Sequence, residues 1–271
     1  MNNILVKILC GLLLITTITS DGFAGSRDTT VLLANNSTTM PSAVTITNVA
    51  NIVYPESFEI DKLQYIDYVQ KFSNKKRDYL VEMYDKGQNY FPKITPILKK
   101  YNLPEELKVL IALESGFNAN AVSRAGAVGY WQMMNESAKD YGLQISSSKK
   151  THNKNDERKN LIKSTTAASK YLVAHAKMLG DNLLLMVASY NCGIGKIKQA
   201  IKRSGITNAG FWDIKKYLPK ETRNYVMDFI ALNIIFVNYD KFSKKNLVFT
   251  SEVREVPVTD NANKLNTPIT N

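Results

Sequence analysis

The stretch Pro104-Glu-Glu-Leu-Lys-Val-Leu-Ile-Ala-Leu-Glu114-Ser115-Gly116 decides how this chain is read. Proline at the first helical position, acids in the first turn and glycine past the end mark one helix running to about Ser115. Leu107, Leu110 and Ile111 lie seven, four and three residues before Glu114, so the glutamate continues an apolar stripe. A carboxylate on a buried face costs desolvation free energy unless it is neutral or paired. Burial favours the protonated acid, the form a general acid needs near neutral pH. The plain alternative is a side chain that snorkels at the helix end or caps the next loop. Position alone does not choose between the two.

Outward from this helix the texture stays helical. Residues 118–132 hold Gly126 and Gly129 among small residues and read as a loop. A short helix is expected from Glu136 to Tyr141, stopped by Gly142. Ser164 is placed to cap a helix ending at Gly180, with Tyr171, Leu172, His175 and Leu179 facing in. Asn182 caps another that carries Leu183, Leu184, Val187 and Tyr190. Lys196 to Arg203 is a short basic helix, and Glu221 to Tyr239 a long apolar one. Upstream, Leu63, Ile66, Val69 and Phe72 form one stripe, and Leu80, Met83 and Tyr84 a second. Tyr65, Tyr68, Tyr79, Tyr84 and Tyr90 could stack sugars, but amphipathic packing with the hydroxyl at the surface is the commoner role. The fold class is all-α.

The chain has 271 residues, enough for one large domain or two small ones with a real core. Apolar residues at 44% and charged residues at 22% exclude a fully disordered chain and a polytopic membrane protein. Lys+Arg 35 against Asp+Glu 24 gives +11, which suits an anionic neighbour and says nothing of fold. Lys7 followed by an uncharged apolar run, Ile8 to Ile18, reads as a secretory signal, too short for a membrane span. Cleavage is expected after Ala24, with Ser20 as a competing site and an uncleaved anchor as the alternative. The mature chain then keeps only Cys192 and can form no internal disulfide. Residues 25–52, rich in Ser, Thr, Asn and Ala, read as a disordered linker, and the stretch 241–271 as a polar tail.

Other chemistries find little support. Two Cys and two His make a zinc site very poor, and no metal or cofactor is expected. Gly193-Ile-Gly195 lacks the preceding strand and third glycine of a dinucleotide site. Cys192 has no nearby base and reads as a buried small residue. His152 reads as solvated and His175 as a satisfied interior or edge histidine. The lysines around Lys196 read as a solvated face and not a nucleic-acid surface. A glycosidase normally has two carboxylates flanking the bond. No candidate for the second is found on the helix of Glu114 or in the loop up to Gln132, and Glu136, Asp140 and Glu221 are too remote to assign. A lone carboxylate points to a substrate that supplies its own nucleophile.

Glu114-Ser115-Gly-Phe-Asn118, Gly129-Tyr-Trp-Gln132, Ala188-Ser-Tyr190-Asn191-Cys-Gly193 and Glu221-Thr-Arg-Asn-Tyr225-Val226 resemble, in order, the four motifs of the lytic murein transglycosylases of the SLT fold, glycoside hydrolase family 23. The resemblance covers about residues 55–240. It implies a lysozyme-like catalytic domain over 53–240, with its core from about 103 and a helical extension before it. It implies cleavage of the β-1,4 bond between N-acetylmuramic acid and N-acetylglucosamine in peptidoglycan, leaving 1,6-anhydromuramyl ends. Glu114 would be the sole acid/base. Ser123, Gln132 and Met134 match the loop lining the sugar site. Tyr190 and Asn191 match the motif facing the glutamate, and Glu221 and Tyr225 the motif that closes the groove. The ring of Tyr190 continues an apolar stripe, so its hydroxyl is left to reach a sugar, Glu114, or a backbone group in the core. Ser189 stands where the family favours alanine, and the wall-binding repeats and lipid-attachment cysteine of the relatives have no counterpart in these residues. The expected partner is the glycan strand of the cell wall. The protein is expected as an exported monomer, touching membrane only through an uncleaved signal. A lysozyme-like hydrolase and a non-catalytic wall-binding protein are the competing readings.

Overall fold

The structure, a computed structural model, describes residues 29–32, 43–58, 60–145 and 155–256. The signal segment with Cys10, and His152, fall outside the described residues. The chain divides into two units, 1–51 with 248–271, and 52–247.

The first unit holds three strands, β1 (Thr29–Leu32), β2 (Ala43–Asn48) and β3 (Glu252–Val256), in an antiparallel sheet of order β1-β2-β3. Thr29 pairs with Ile46 and Ala43 with Val256, with a register irregularity between Ile46 and Asn48. These strands fall within the stretches 25–52 and 241–271 that composition reads as a linker and a tail. A composition count over a window hides the β-branched run Val44-Thr-Ile-Thr47, and its partner strand lies some two hundred residues away in sequence.

The second unit is helical, as expected. Its elements are α1 (Ile66–Lys75), α2 (Arg77–Lys100), α3 (Leu110–Ser115), α4 (Asn135–Asp140), α5 (Leu161–Leu179), α6 (Leu183–Cys192), α7 (Ile194–Ser204), α8 (Phe211–Ile214), α9 (Lys220–Val237) and α10 (Tyr239–Ser243). A 3-10 turn over Glu105–Val109 leads into α3, so the helix read from Pro104 is real but tighter at its start. The long terminal helix breaks at Asn238 into α9 and α10. Consecutive residues from Phe229 to Ile235 are buried, so this stretch of α9 is enclosed on every side and forms the axis. Helices α1, α2, α3 and α6 pack against it, and α5 packs against α2 and α6.

Some boundaries moved for local reasons. Helix α5 starts at Leu161, not after Ser164, because Asn160 Oδ1 accepts from Lys163 N at 3.0 Å. Ser164 instead bonds back to the Asn160 carbonyl at 2.6 Å. Asn182 caps α6 as expected, accepting from Leu185 N at 3.0 Å. Leu63 sits in a 3-10 turn at 88% exposure and leaves its stripe. Helix α2 runs unbroken through Gly87, Pro92 and Pro96. Glycine and proline disfavour a helix interior by about 1 and about 3 kcal/mol relative to alanine, so packing overrides propensity there.

Two contacts seat the loop between α3 and α4. Trp131 is fully buried and donates from its indole N–H to Thr165 Oγ1 on α5 at 2.9 Å. Gly129, at φ +83°, lies so close to the 3-10 turn before α5 that a Cβ there would stand 2.1 Å from the Arg158 carbonyl oxygen. The turn itself is fixed by a buried ion pair, Arg158 to Asp156 at 2.6 Å, and Arg158 also donates to the Met133 carbonyl at 3.2 Å. Burial works against the Asp156 charge, but bonds from the Arg158 guanidinium and backbone outweigh it and hold the carboxyl below its usual range.

Gly129→Ala should destabilise by about 2–4 kcal/mol, combining a left-handed backbone with a clash against main chain. Gly126, at φ +89° with nothing near its would-be Cβ, serves as control and should lose only about 1 kcal/mol as alanine. Urea midpoints for the two variants check this; equal losses would mean that the Arg158 backbone yields.

Candidate active site

Glu114 occupies the last turn of α3. Gly116, at φ +57°, ends the helix, its N–H donating to the Ala112 carbonyl at 3.0 Å. Phe117 follows at φ +65°, so two left-handed residues in succession turn the chain sharply away and leave Glu114 at the helix tip. The carboxyl is half-buried by surface but enclosed by protein on most sides. Burial pushes its pKa up to about 7, against a hydrogen bond from Tyr225 that holds it down. The helix C-terminus, with its partial negative charge, acts in the same direction as burial.

Tyr225 Oη donates to Glu114 Oε1 at 2.5 Å across 111 residues of sequence. The hydroxyl itself is enclosed, and its pKa lies well above the ordinary value, first through burial and then through the nearby carboxylate. The resemblance assigned Tyr225 to the motif that closes the groove; its hydroxyl lies on the glutamate.

The third and fourth motifs are joined through Thr222. Its Oγ1 donates to Asn191 Oδ1 at 2.8 Å, which ties the end of α6 to the start of α9. Tyr190 takes the backbone option left open by the sequence, donating to the Trp131 carbonyl at 2.6 Å. It therefore holds the loop rather than Glu114, although one side of its ring remains accessible. Ser115 Oγ donates to the Tyr130 carbonyl at 2.8 Å and pins the same loop to α3.

Within that loop, Gln132 adopts φ +45° and its amide donates to the carbonyls of Ala121 (3.1 Å) and Gly129 (2.9 Å). Its side-chain oxygen is what remains for a ligand. Ser123 Oγ accepts from Ala127 N at 3.0 Å and closes a tight turn, so it shapes the loop. Gln132, Met134 and Tyr190 line one small cavity of about 70 Å³ with Met133, Ser137 and Tyr171. Met134 is 41% exposed at its mouth. Glu221 is exposed in the first turn of α9 and is not gathered with the others.

His175 is buried, with Nδ1 2.7 Å from Ser189 Oγ, and burial lowers its pKa. Ser189, placed where the family favours alanine, thus serves an interior histidine. Cys192 is half-buried, and burial pushes its thiol up, away from thiolate chemistry. Among the described residues no group of three or more His, Cys, Asp or Glu is placed to hold a metal ion. Sequence reasoning missed Thr222, Ser115 and Thr165 as connectors. Ser115 and Thr222 stand within the motifs and Thr165 outside them, and the partners of all three lie on other elements.

Unfolded, a glutamate ionises near 4.5; here it ionises near 7. The stability linked to the protonated acid is complete below 4.5 and lost as the pH rises through 7. Glu114→Gln never charges, so its stability relative to the native chain should rise by about 1–3 kcal/mol at pH 8 and change little at pH 4. Thermal unfolding at both pH values checks this. Tyr190→Phe should lose about 0.5–1.5 kcal/mol, one buried hydrogen bond, in the same measurement.

The sequence profile described as Transglycosylase SLT domain matches residues 93–210. Over 187 residues the chain is 35% identical to the membrane-bound lytic murein transglycosylase D of Escherichia coli K12, a match covering 68% of this chain and 39% of that protein. The same figures hold for the enzyme of that name from E. coli O6:H1, strain CFT073. The chain thus spans about two fifths of the length of these relatives. Among solved structures, the 70 kDa soluble lytic transglycosylase SLT70 of E. coli overlays with a TM-score of 0.44 at 21% identity, over 56% of this chain and 25% of that one. Residues 93–210 thus match the transglycosylase SLT domain, and the chain is similar to lytic murein transglycosylases.

Proposed function

We propose that the protein is an exported lytic transglycosylase that cleaves the β-1,4 bond between N-acetylmuramic acid and N-acetylglucosamine in peptidoglycan. The observation that carries this reading is Glu114, poised near pH 7 with a tyrosine hydroxyl, not a second acid, as its hydrogen-bond partner. Glu136, Asp140 and Glu221 are all exposed, and Asp228 is engaged by the Tyr68 hydroxyl. With one carboxyl, the chemistry runs within the substrate. The protonated Glu114 gives its proton to the glycosidic oxygen, and that bond breaks. The resulting carboxylate then takes the proton of the muramyl 6-hydroxyl as that oxygen closes on C1. The 1,6-anhydro product leaves and Glu114 is again protonated, so the cycle needs no water, metal or cofactor.

Tyr225 acts through Glu114. Its O–H favours the carboxylate, and so keeps the pKa low enough for the group to act as base as well as acid. Gln132, Met134 and Tyr190 border the groove where the glycan would lie, with Asn191 held behind by Thr222. Ser123 and Glu221 support this reading only as loop and rim residues.

Digestion of purified peptidoglycan, followed by mass analysis of the muropeptides, tests the proposal. Anhydromuramyl ends are the expected product, and reducing ends alone would convert the reading to a hydrolase. Glu114→Gln should abolish release while the fold persists; activity within a few-fold of the native chain would remove Glu114 from the chemistry. The rate should decline above about pH 7, roughly tenfold per unit once the acid is mostly ionised. Tyr225→Phe removes the one contact that lowers the pKa of Glu114, so this descending limb should move to higher pH in the variant. An unmoved limb would mean that Tyr225 does not set the acid.

A further inference from the structure

Helix α2 contains Gly87, Pro92 and Pro96 within ten residues, and it continues as a helix regardless. Sequences conflict with local propensity in this way most often at functional sites. Here all three residues bear on one feature, a cavity of about 680 Å³ lying between α2, the 3-10 turn before α3 and the end of α9. Its size falls in the range of about 300–1,000 Å³ usual for ligand sites. It is separate from the catalytic groove. Phe236, which lines it, stands eleven residues beyond Tyr225 on α9, about 16 Å along the helix.

The cavity has an aromatic wall. Tyr84 meets Phe236 edge-on at 5.5 Å, and Phe91 lies 6.0 Å from the same ring. All three residues are partly exposed, with Tyr239 stacked on one face of Tyr84 and the Lys108 ammonium 5.6 Å from the Phe91 ring centre. Gly87 makes this wall possible, since a Cβ there would stand 2.3 Å from the Phe91 ring. The prolines supply the polar part. Neither has an N–H, so the carbonyls of Gln88 and Pro92, four residues back, have no helical donor. Gln88, Pro92 and Pro96 all line the cavity. At the rim, Lys99 and Lys108 both approach Glu105 at 3.9 Å and Glu106 lines the same cavity, so two cations are met by two carboxylates.

These features select a ligand. A polyanion would want unshared cations, and both lysines share one glutamate. A purely apolar chain would leave backbone acceptors unsatisfied. A neutral amino sugar fits both constraints: its C–H face stacks on rings, and its acetamido N–H and hydroxyls donate to carbonyls. We propose that this cavity is a second glycan-binding site for a β-1,4-linked segment of N-acetylated amino sugars. It goes beyond the cleavage site proposed above and rests on that reading for its ligand class. Such a site would keep a strand attached after the catalytic groove has released its product.

The full chain carrying Glu114→Gln, titrated with N-acetylchitotetraose and followed through its backbone amides by NMR, tests this. Two groups of amides should shift, one around Gly116 to Gln132 and one around Gln88 to Thr95 with Asn233 to Val237. Gln88→Trp, at an exposed helix position, should fill the cavity without touching the core. It should weaken binding at the second group about tenfold or more and leave the first unchanged. Shifts around Glu114 alone, or cavity shifts that persist in Gln88→Trp, would overturn the inference and leave the proposed activity standing. Shifts in the cavity alone would uphold the inference and count against the glycan reading of the catalytic groove. A cavity that answers to a stem tetrapeptide and not to the sugar would overturn it as well.

Discussion

The hydrogen bond from Tyr225 to Glu114 is the interaction on which the site depends. A carboxyl enclosed by protein at a helix C-terminus would drift far toward the neutral acid if nothing opposed it. One donated O–H opposes it, and the balance falls near 7. That balance requires α3 and α9 to hold a fixed separation. Helix α9 is buried continuously from Phe229 to Ile235 and cannot shift without disturbing α1, α2, α3 and α6 together. A helix threaded through the core therefore carries the residue that sets the acid, and positional accuracy comes from the core itself.

The loop between α3 and α4 is fixed by the same economy of parts. Ser115, Tyr190 and Thr165 each bond one point on it, from three different helices. Gln132 turns its amide inward to close the loop on itself. Polar groups that the sequence suggests for sugar contact are thus largely committed to main chain. What is left to face a ligand is a smaller set: the carboxyl of Glu114, the amide oxygen of Gln132, the thioether of Met134 and ring surface from Tyr190. The motif residues divide accordingly into those that build the groove and those that border it.

How much of this was legible depended on the range of the interaction. The stripe ending in Glu114, the glycine that stops α3 and the asparagine that caps α6 are set within about one or two turns of helix, and each stands where periodicity and capping placed it. The Glu114–Tyr225 and Asn191–Thr222 pairs join α9 to elements far away in sequence, so spacing along the chain could not show them. The motif resemblance gathered these residues into one site but not into pairs. It could not reveal that Tyr190 would spend its hydroxyl on a carbonyl. Gly129 could be read only as a loop glycine, because the backbone it must approach, at Arg158, is visible only in three dimensions. Helix α2 hid its continuity behind two prolines, and the strands hid behind a polar composition.

The close seating of Gly129 on the Arg158 carbonyl, together with Trp131 locked onto Thr165, also determines how the site comes apart. Loops are ordinarily the first regions to open, at little free-energy cost, while cores open last. This loop has no such independence, since lifting it exposes a fully buried tryptophan and strips the start of α5 of its neighbour. Its amides should therefore exchange with protection close to that of α5. The groove proposed for the glycan is then formed before any ligand arrives, so binding there should spend little of its free energy on ordering it.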